Sequence, residues 1–223
     1  MTKTLFIDYD DTLHDTDTKY TAGFEGLLGL SSEQVMKVYL QVHRQIVHKQ
    51  YPEKHDDFYF HQRFIFDYLK RPYHEDEALM IASTFHRVQQ ECWLNPSFFS
   101  DSLYFLDKVK ERYILCLTTG DYAPEKAGAL EKAGGKSYFS YIFDHKHLGI
   151  KGGPAYFQNA LMLTNSAAGD VLAIGDNPEH DIAAAKEAGI ATVWINRKGL
   201  PSLCIADYQA RDLLQVLDYL SSF

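Results

Sequence analysis

The sequence predicts an α/β fold, a doubly wound parallel sheet, interrupted after its first strand by an inserted helical subdomain. Three observations carry this expectation. Short apolar runs rich in β-branched or aromatic residues recur at 4–7, 113–117, 141–143, 171–174 and 192–195, as suits strands buried on both faces. From Asp107 onward these runs alternate with helix-like segments. Between Leu13 and Pro96 the alternation stops, and the chain reads as helical throughout.

Taken in order, the run 4–7 is the first strand. In the insert, Val35, Val38, Tyr39, Val42 and Ile46 fall at helical spacing behind a Ser31-x-x-Gln34 capping pattern. His61, Phe64, Ile65, Tyr68 and Leu69 form a second stripe. Ala78, Ile81, Ala82, Phe85 and Val88 form a third, behind the acidic start Glu75-Asp76-Glu77, which suits a helix amino terminus. Beyond the insert, helices are expected at 124–133, closed by Gly134 and Gly135, at 154–163, and at 182–188, closed by Gly189. Proline at the start and glycine past the end are the usual punctuation. A last amphipathic helix is expected from Ala210, Leu213, Leu214, Leu217 and Leu220. The expected division is 1–14 with 97–223 as the α/β domain and 15–96 as the helical subdomain, with linkers at 14–20 and 93–100.

With 223 residues, of which 46% are hydrophobic, the chain is long enough to bury a real core. No stretch approaches the roughly 18 to 20 consecutive apolar residues that span a bilayer, and the first residues lead into a strand rather than a signal peptide, so a cytoplasmic protein without membrane contact is expected. Cys92, Cys116 and Cys204 are odd in number, widely spaced and set among apolar neighbours, the pattern of small buried hydrophobes rather than of a disulfide frame. A net charge of -8 disfavours nucleic acid as a partner.

Polar residues that bear chemistry gather at strand ends. The first strand runs into Asp8-Tyr9-Asp10-Asp11-Thr12, where Asp8 and Asp10, two apart in an extended segment, face the same side. Acids this close resist joint ionisation unless a cation sits among them, and a hard divalent ion with oxygen ligands answers that need. Standing alone, the same residues would read as a turn in which Asp11 and Thr12 cap. The second run is followed by Thr118-Thr119-Gly120, which offers hydroxyl and backbone donors or an ordinary turn. Lys151 follows the third run, placed to neutralise an anion or to sit in solvent. The fourth run ends in Gly175-Asp176-Asn177-Pro178-Glu179-His180-Asp181, with Asp176 a candidate metal ligand and Asp181 either a helix cap or a support for the metal site. Each signal has a plain structural reading. Together they arrive at the carboxyl ends of successive strands, where an open α/β sheet gathers its ligands.

In this arrangement the sequence resembles the haloacid dehalogenase superfamily, whose pattern is Asp-x-Asp-x-Thr, then Thr or Ser, then Lys, then Gly-Asp-x-x-x-x-Asp. The matching positions are Asp8 to Thr12, Thr118, Lys151, and Gly175-Asp176 through Asp181. The resemblance covers essentially the whole chain, since the insert lies where the type 1 cap of the superfamily lies, and the layout is similar to the phosphoglycolate phosphatase-like branch. Lys151 is followed by Gly152 where many relatives have proline. It is preferred over Lys146 because it stands six residues before Phe157, the spacing common in relatives.

The resemblance implies a Rossmann-like core and a magnesium-dependent phosphohydrolase acting on a small phosphorylated metabolite. Asp8 would be the nucleophile that forms an aspartyl-phosphate, and Asp10 the general acid and base. Mg2+ would be held by Asp8, the Asp10 backbone carbonyl and Asp176, with Asp181 in support. Thr118, Thr119, Gly120 and Lys151 would hold the phosphoryl oxygens. Dehalogenases of the superfamily lack the acid at the position of Asp10, so carbon–halogen chemistry is not expected. The insert would close over the site and select the leaving group, with Tyr39, Arg44, His48, Lys49, His61, Arg63, Lys70 and Arg71 as unranked candidates for contact. A phosphosugar mutase of the same superfamily is the alternative. A receiver-like signalling domain phosphorylated at Asp144 and a non-catalytic binding protein are the more distant ones. Among ten histidines no pair has the i, i+4 spacing with an acid that makes a zinc helix.

Overall fold

The computed structural model describes residues 3–201 and 205–221. It divides into two compact units, one of Met1–Asp15 with Pro96–Phe223 and one of Thr16–Asn95.

The first unit is built on a six-stranded sheet: β1 (Thr4–Ile7), β2 (Ile114–Thr118), β3 (Tyr141–Phe143), β4 (Val171–Gly175), β5 (Ala191–Ile195) and β6 (Tyr208–Ala210). Every pairing is parallel and the order is β3-β2-β1-β4-β5-β6. Side-chain alternation explains why these strands are apolar on both faces. Leu5, Ile7, Leu115, Leu117, Leu172 and Ile174 point to one side, where Phe105, Leu106, Leu130, Leu213 and Val216 cover them. Phe6, Cys116 and Ala173 point to the other, against Tyr156, Phe157, Ala160 and Ala185. Phe6 lies in register between Cys116 and Ala173, and these two small neighbours make room for its ring.

The chain winds from β1 outward to β2 and β3, then returns across β1 to lay down β4. The order therefore reverses between β1 and β4, and a crevice is expected beyond the carboxyl ends of those strands. After β1 the chain folds back tightly: the N–H groups of Leu13 and His14 both donate to the Tyr9 carbonyl (2.9 and 3.0 Å), and Asp11 takes the left-handed conformation at φ 54°. His14 then bridges antiparallel to Phe98, and the Asp15 N–H donates to the Ser97 carbonyl at 2.9 Å.

The unit Thr16–Asn95 is helical, with principal helices at Thr16–Phe24, Ser32–Val42, Phe58–Tyr68 and Glu75–Leu94. Its own core contains Phe24, Val35, Phe58, Phe66, Ile81, Phe85 and Val88. The Ser31/Gln34 capping box forms, with the Gln34 N–H donating to Ser31 Oγ at 3.3 Å and the Ser31 N–H to Gln34 Oε1 at 3.0 Å.

Several boundaries differ from the sequence reading. Residues from Thr16 to Tyr20, expected as linker, begin the helix Thr16–Phe24, and Trp93 belongs to the helix Glu75–Leu94. Ala210, expected in the terminal helix, ends β6; the helix itself is Leu213–Ser221. The segment expected as one helix at 182–188 is a π-turn, Pro178–Ala183, running into a single α-turn, Ala184–Glu187. Helix Ser102–Lys110, which leads into β2, was not expected before Asp107. The Cys92 and Cys116 side chains are buried, and burial pushes Cys116 up to about 12. Cys204 lies outside the described residues. Among the described residues no helix is long and apolar enough to cross a membrane.

Candidate active site

Asp8 is the first residue past β1, and its N–H continues the ladder by donating to the Ile174 carbonyl at 2.9 Å. Asp176 is the first residue past β4, and its carbonyl accepts from Trp194 Nε1 at 2.7 Å, which fixes the start of the following loop. Asp181 sits within the π-turn Pro178–Ala183, whose first N–H groups, those of Glu179 and His180, donate to Asn177 Oδ1 at 3.0 Å each. Carboxylate oxygens of Asp8, Asp176 and Asp181 all lie within 4.8 Å of one another, at the reversal point of the sheet.

Lys151 stands among them. Its Nζ donates to Asp8 Oδ1 at 2.6 Å and to the Thr118 carbonyl at 2.7 Å, and lies 2.5 Å from Asp181 Oδ1. The φ of 142° at Gly152 is out of reach for proline, whose ring fixes φ near −65°, which explains why the residue after the lysine is glycine in this chain. Gly175 is required too, because a Cβ there would overlap the Asp181 carboxyl group. Asp181 Oδ2 in turn accepts from the Asn177 N–H at 2.9 Å.

Electrostatics decide what this cluster tolerates. Each pair of like carboxylates at such range repels by about 3 kcal/mol at an effective dielectric near 20, and one ammonium cannot offset every pair among three acids. Burial first, and then the Asp181 and Asp10 charges, push Asp8 up to about 7 against the pull of Lys151. Burial and the Asp181 and Asp8 charges raise Asp176 well above the usual carboxylate range. Burial works against the charged form of Lys151, but its two acid partners outweigh it and hold the ammonium protonated.

The Asp10 side chain takes a different direction. Its Oδ2 accepts from Lys126 Nζ at 2.7 Å and from Thr119 Oγ1 at 3.4 Å, so its carboxylate is not one of the clustered three. Lys126 also donates to Thr119 Oγ1 (2.9 Å) and Asp121 Oδ1 (2.8 Å), and its Nζ lies 5.4 Å from the centre of the Tyr9 ring. Though buried, it stays charged, because Asp10 and Asp121 outweigh its desolvation. Lys126 was missed in the sequence reading. The available signal was its place on the helix Ala123–Gly134, where it shares the buried face with Ala123, Ala129 and Leu130.

Thr118 ends β2 and is buried, in register with Phe143. The Thr119 carbonyl accepts from the Tyr156 hydroxyl at 2.8 Å, and the Gly120 carbonyl from His145 N and Nδ1 at 3.1 and 3.0 Å. The segment 118–120 thus lies at the same sheet edge as Asp8. Asp144 is committed elsewhere, its Oδ1 accepting from the Lys146 N–H (3.0 Å) and His147 Nδ1 (2.9 Å).

Residues 5–195 match the family profile described as haloacid dehalogenase-like hydrolase. The chain belongs to that family. Among curated members, it is 29% identical over 124 residues to a phosphoserine phosphatase of Thermus thermophilus, a match spanning 55% of this chain and 48% of the relative. It is 31% identical over 118 residues to the N-acylneuraminate-9-phosphatase of Mus musculus, over 51% of this chain and 47% of that one. The chain thus spans about half the length of the curated relatives it matches. Among solved structures, the HAD-hydrolase YfnB of Bacillus subtilis, bound to magnesium, superposes with a TM-score of 0.72 at 20% identity over 98% of both chains. A 2-haloacid dehalogenase of Pseudomonas syringae pv. Tomato gives 0.68 at 23% identity, over 100% of this chain and 99% of that one. Family members with phosphatase and dehalogenase names thus share this fold.

Proposed function

We propose that this family member is a magnesium-dependent phosphatase that hydrolyses a small phosphorylated metabolite through a phosphorylated Asp8. The observation that carries the reading is the cluster of three carboxylates, Asp8, Asp176 and Asp181, with the Lys151 ammonium paired to Asp8 and Asp181, and a fourth acid, Asp10, held by its own lysine.

The donor set fits a hard dication. All three clustered groups offer oxygen, two of them resist ionisation when nothing more than Lys151 offsets them, and the cluster lies at the sheet's reversal point. Asp8, Asp176 and the Asp10 backbone carbonyl would hold magnesium, with Asp181 keeping Lys151 in place. Bound there, the ion supplies charge to offset a phosphoryl group and to orient it.

The chain's own residues carry the steps. An Asp8 carboxylate oxygen attacks phosphorus and the bond to the leaving oxygen breaks, which divides one hard hydrolysis into two displacements. Asp10 delivers a proton to the leaving oxygen, then takes one from the water that cleaves the acyl phosphate. Lys151, the Thr118 hydroxyl and the Gly120 N–H place donors around the phosphoryl oxygens, while the Thr119 N–H is spent on the Phe143 carbonyl at 3.1 Å, so positioning and electrostatics supply most of the acceleration.

Asp10 favours this chemistry over dehalogenation. A halide departs without a proton, and a dehalogenase has no use for an acid held at 2.7 Å by a buried lysine. The phosphatase names of the curated relatives point the same way. The test is a panel of phosphorylated metabolites assayed with magnesium for inorganic phosphate. Phosphate released in proportion to substrate consumed supports a hydrolase. Isomerised substrate without phosphate release would show a mutase, and halide release from a 2-haloacid would overturn the reading.

A further inference from the structure

Four of the ten histidines meet inside the helical unit. His43 and His48 are five apart, a spacing that in an α-helix of about 3.6 residues per turn points side chains well away from each other. Here the helix Ser32–Val42 continues as a π-turn, His43–Val47, closed by the His48 N–H on the His43 carbonyl, which brings the two rings onto one face with centroids 4.0 Å apart. π-turns of this kind occur frequently at functional sites. His55, from the loop after Pro52–Lys54, completes the group, its ring 4.7 Å from each of the other two. One ligating nitrogen of each of His43, His48 and His55 lies within 4.8 Å of the other two.

The surroundings select the ligating form of these rings. His61 Nδ1 lies 2.7 Å from the Asp57 carbonyl, which can only accept, so the proton sits on that nitrogen. Its Nε2 then accepts from His43 Nδ1 at 2.9 Å, which leaves His43 Nε2 with a lone pair. Asp56 Oδ1 stands 3.7 Å from His55 Nε2, so His55 favours a proton there and a lone pair on Nδ1. A carboxylate or carbonyl behind a histidine is the arrangement that fixes tautomer and basicity in metal centres.

We propose that His43, His48 and His55 form a second metal site, for a borderline-soft transition-metal dication such as Zn2+, with His61 and Asp56 as positioning residues. Imidazole donors suit zinc, cobalt or nickel and not magnesium, which separates this site from the carboxylate cluster. A tetrahedral zinc at about 2.0–2.1 Å from each nitrogen needs donors about 3.3 Å apart, so small side-chain rotations suffice, and the fourth position is left to water or an exogenous ligand.

The test is titration of the purified full chain with Co2+, as a spectroscopic stand-in for Zn2+, in excess Mg2+. One equivalent should bind with the visible absorption of a tetrahedral cobalt centre and be displaced by Zn2+. Asp8→Asn should bind as the wild type does. His48→Ala and His55→Ala, checked for native circular dichroism, should lose the signal, and His61→Gln should weaken binding by ~10–100-fold. Absence of a stoichiometric tetrahedral signal in the wild type would overturn the proposal whatever the variants do. So would binding that survives in folded His48→Ala and His55→Ala proteins or disappears in Asp8→Asn.

Discussion

Lys126 Nζ stands 2.7 Å from Asp10 Oδ2, so the acid next to the proposed nucleophile is held by a buried ammonium from the helix that follows β2. The pair restricts the Asp10 rotamer and sets a positive charge beside its carboxylate.

Replacing that lysine tests whether the contact matters to chemistry. Lys126→Met is expected to lower kcat, approaching the ~10²-fold typical of general acid–base catalysis, with a smaller change in KM. It leaves two acids without their partner and should cost about 3 kcal/mol of stability, at the low end for a broken buried pair because Asp10 is partly hydrated. Steady-state kinetics and denaturant melts measure both. Unchanged kcat in a folded variant would remove Lys126 from the catalytic account.

Asp8→Asn is expected to abolish hydrolysis of an aryl phosphate. Because it removes one of three mutually repelling carboxylates, it should keep or raise the metal-free melting temperature. Near-normal turnover in this variant would show that the nucleophile lies elsewhere.

EDTA should remove activity from the wild type, and added Mg2+ should restore it. Full activity after exhaustive chelation and dialysis would rule out the magnesium reading.

Gly175→Ala places a methyl group where the Asp181 carboxyl stands. The expected result is displacement of Asp181 from Lys151 and at least a tenfold loss of kcat/KM, on the order of 1.4 kcal/mol of transition-state stabilisation. A variant with wild-type kinetics would mean that the Lys151–Asp181 contact is dispensable.

Asp144 gives a pH-dependent prediction away from the site. Burial raises this carboxyl, but hydrogen bonds from His147 and from the Ala123 and Lys146 N–H groups outweigh it and hold Asp144 below its ordinary 3.8. A depressed acid stabilises the fold fully above its unfolded value, and that contribution disappears as pH falls through the folded one. Thermal melts of Asp144→Asn should therefore lie below wild type at neutral pH and converge with it below about pH 4. Parallel curves across that range would contradict the assignment.

The sequence made the sheet legible wherever a strand is buried on both faces, because those strands are continuous apolar runs. β6 escaped notice because Tyr208–Ala210 is three residues long, lies at the sheet edge and follows no such run. Part of its support is tertiary, Tyr208 stacking on Tyr219 at 4.3 Å. The residues named from sequence at four strand ends do gather at one edge of the sheet, since a parallel sheet sends every carboxyl end the same way. What did not show was the partition among them, with Asp10 turned to Lys126 and Asp181 to Lys151. That partition depends on where a helix from another part of the chain sets down its buried face. Nor could periodicity reveal the two π-turns, which depart from the α-helical repeat and alter which histidines and acids share a face.

The Asp15 to Ser97 hydrogen bond and the His14–Phe98 bridge bring the chain segments that leave and re-enter the α/β unit side by side. Seen from the sheet, everything from Thr16 to Asn95 is the tip of a hairpin, grown large enough to carry an apolar centre of its own. Such a junction accepts grafts of nearly any size, because closure entropy rises by only about 0.6 kcal/mol for each doubling of the loop. The carboxylate cluster rooted in the sheet is in this way independent of which piece is grafted at the junction.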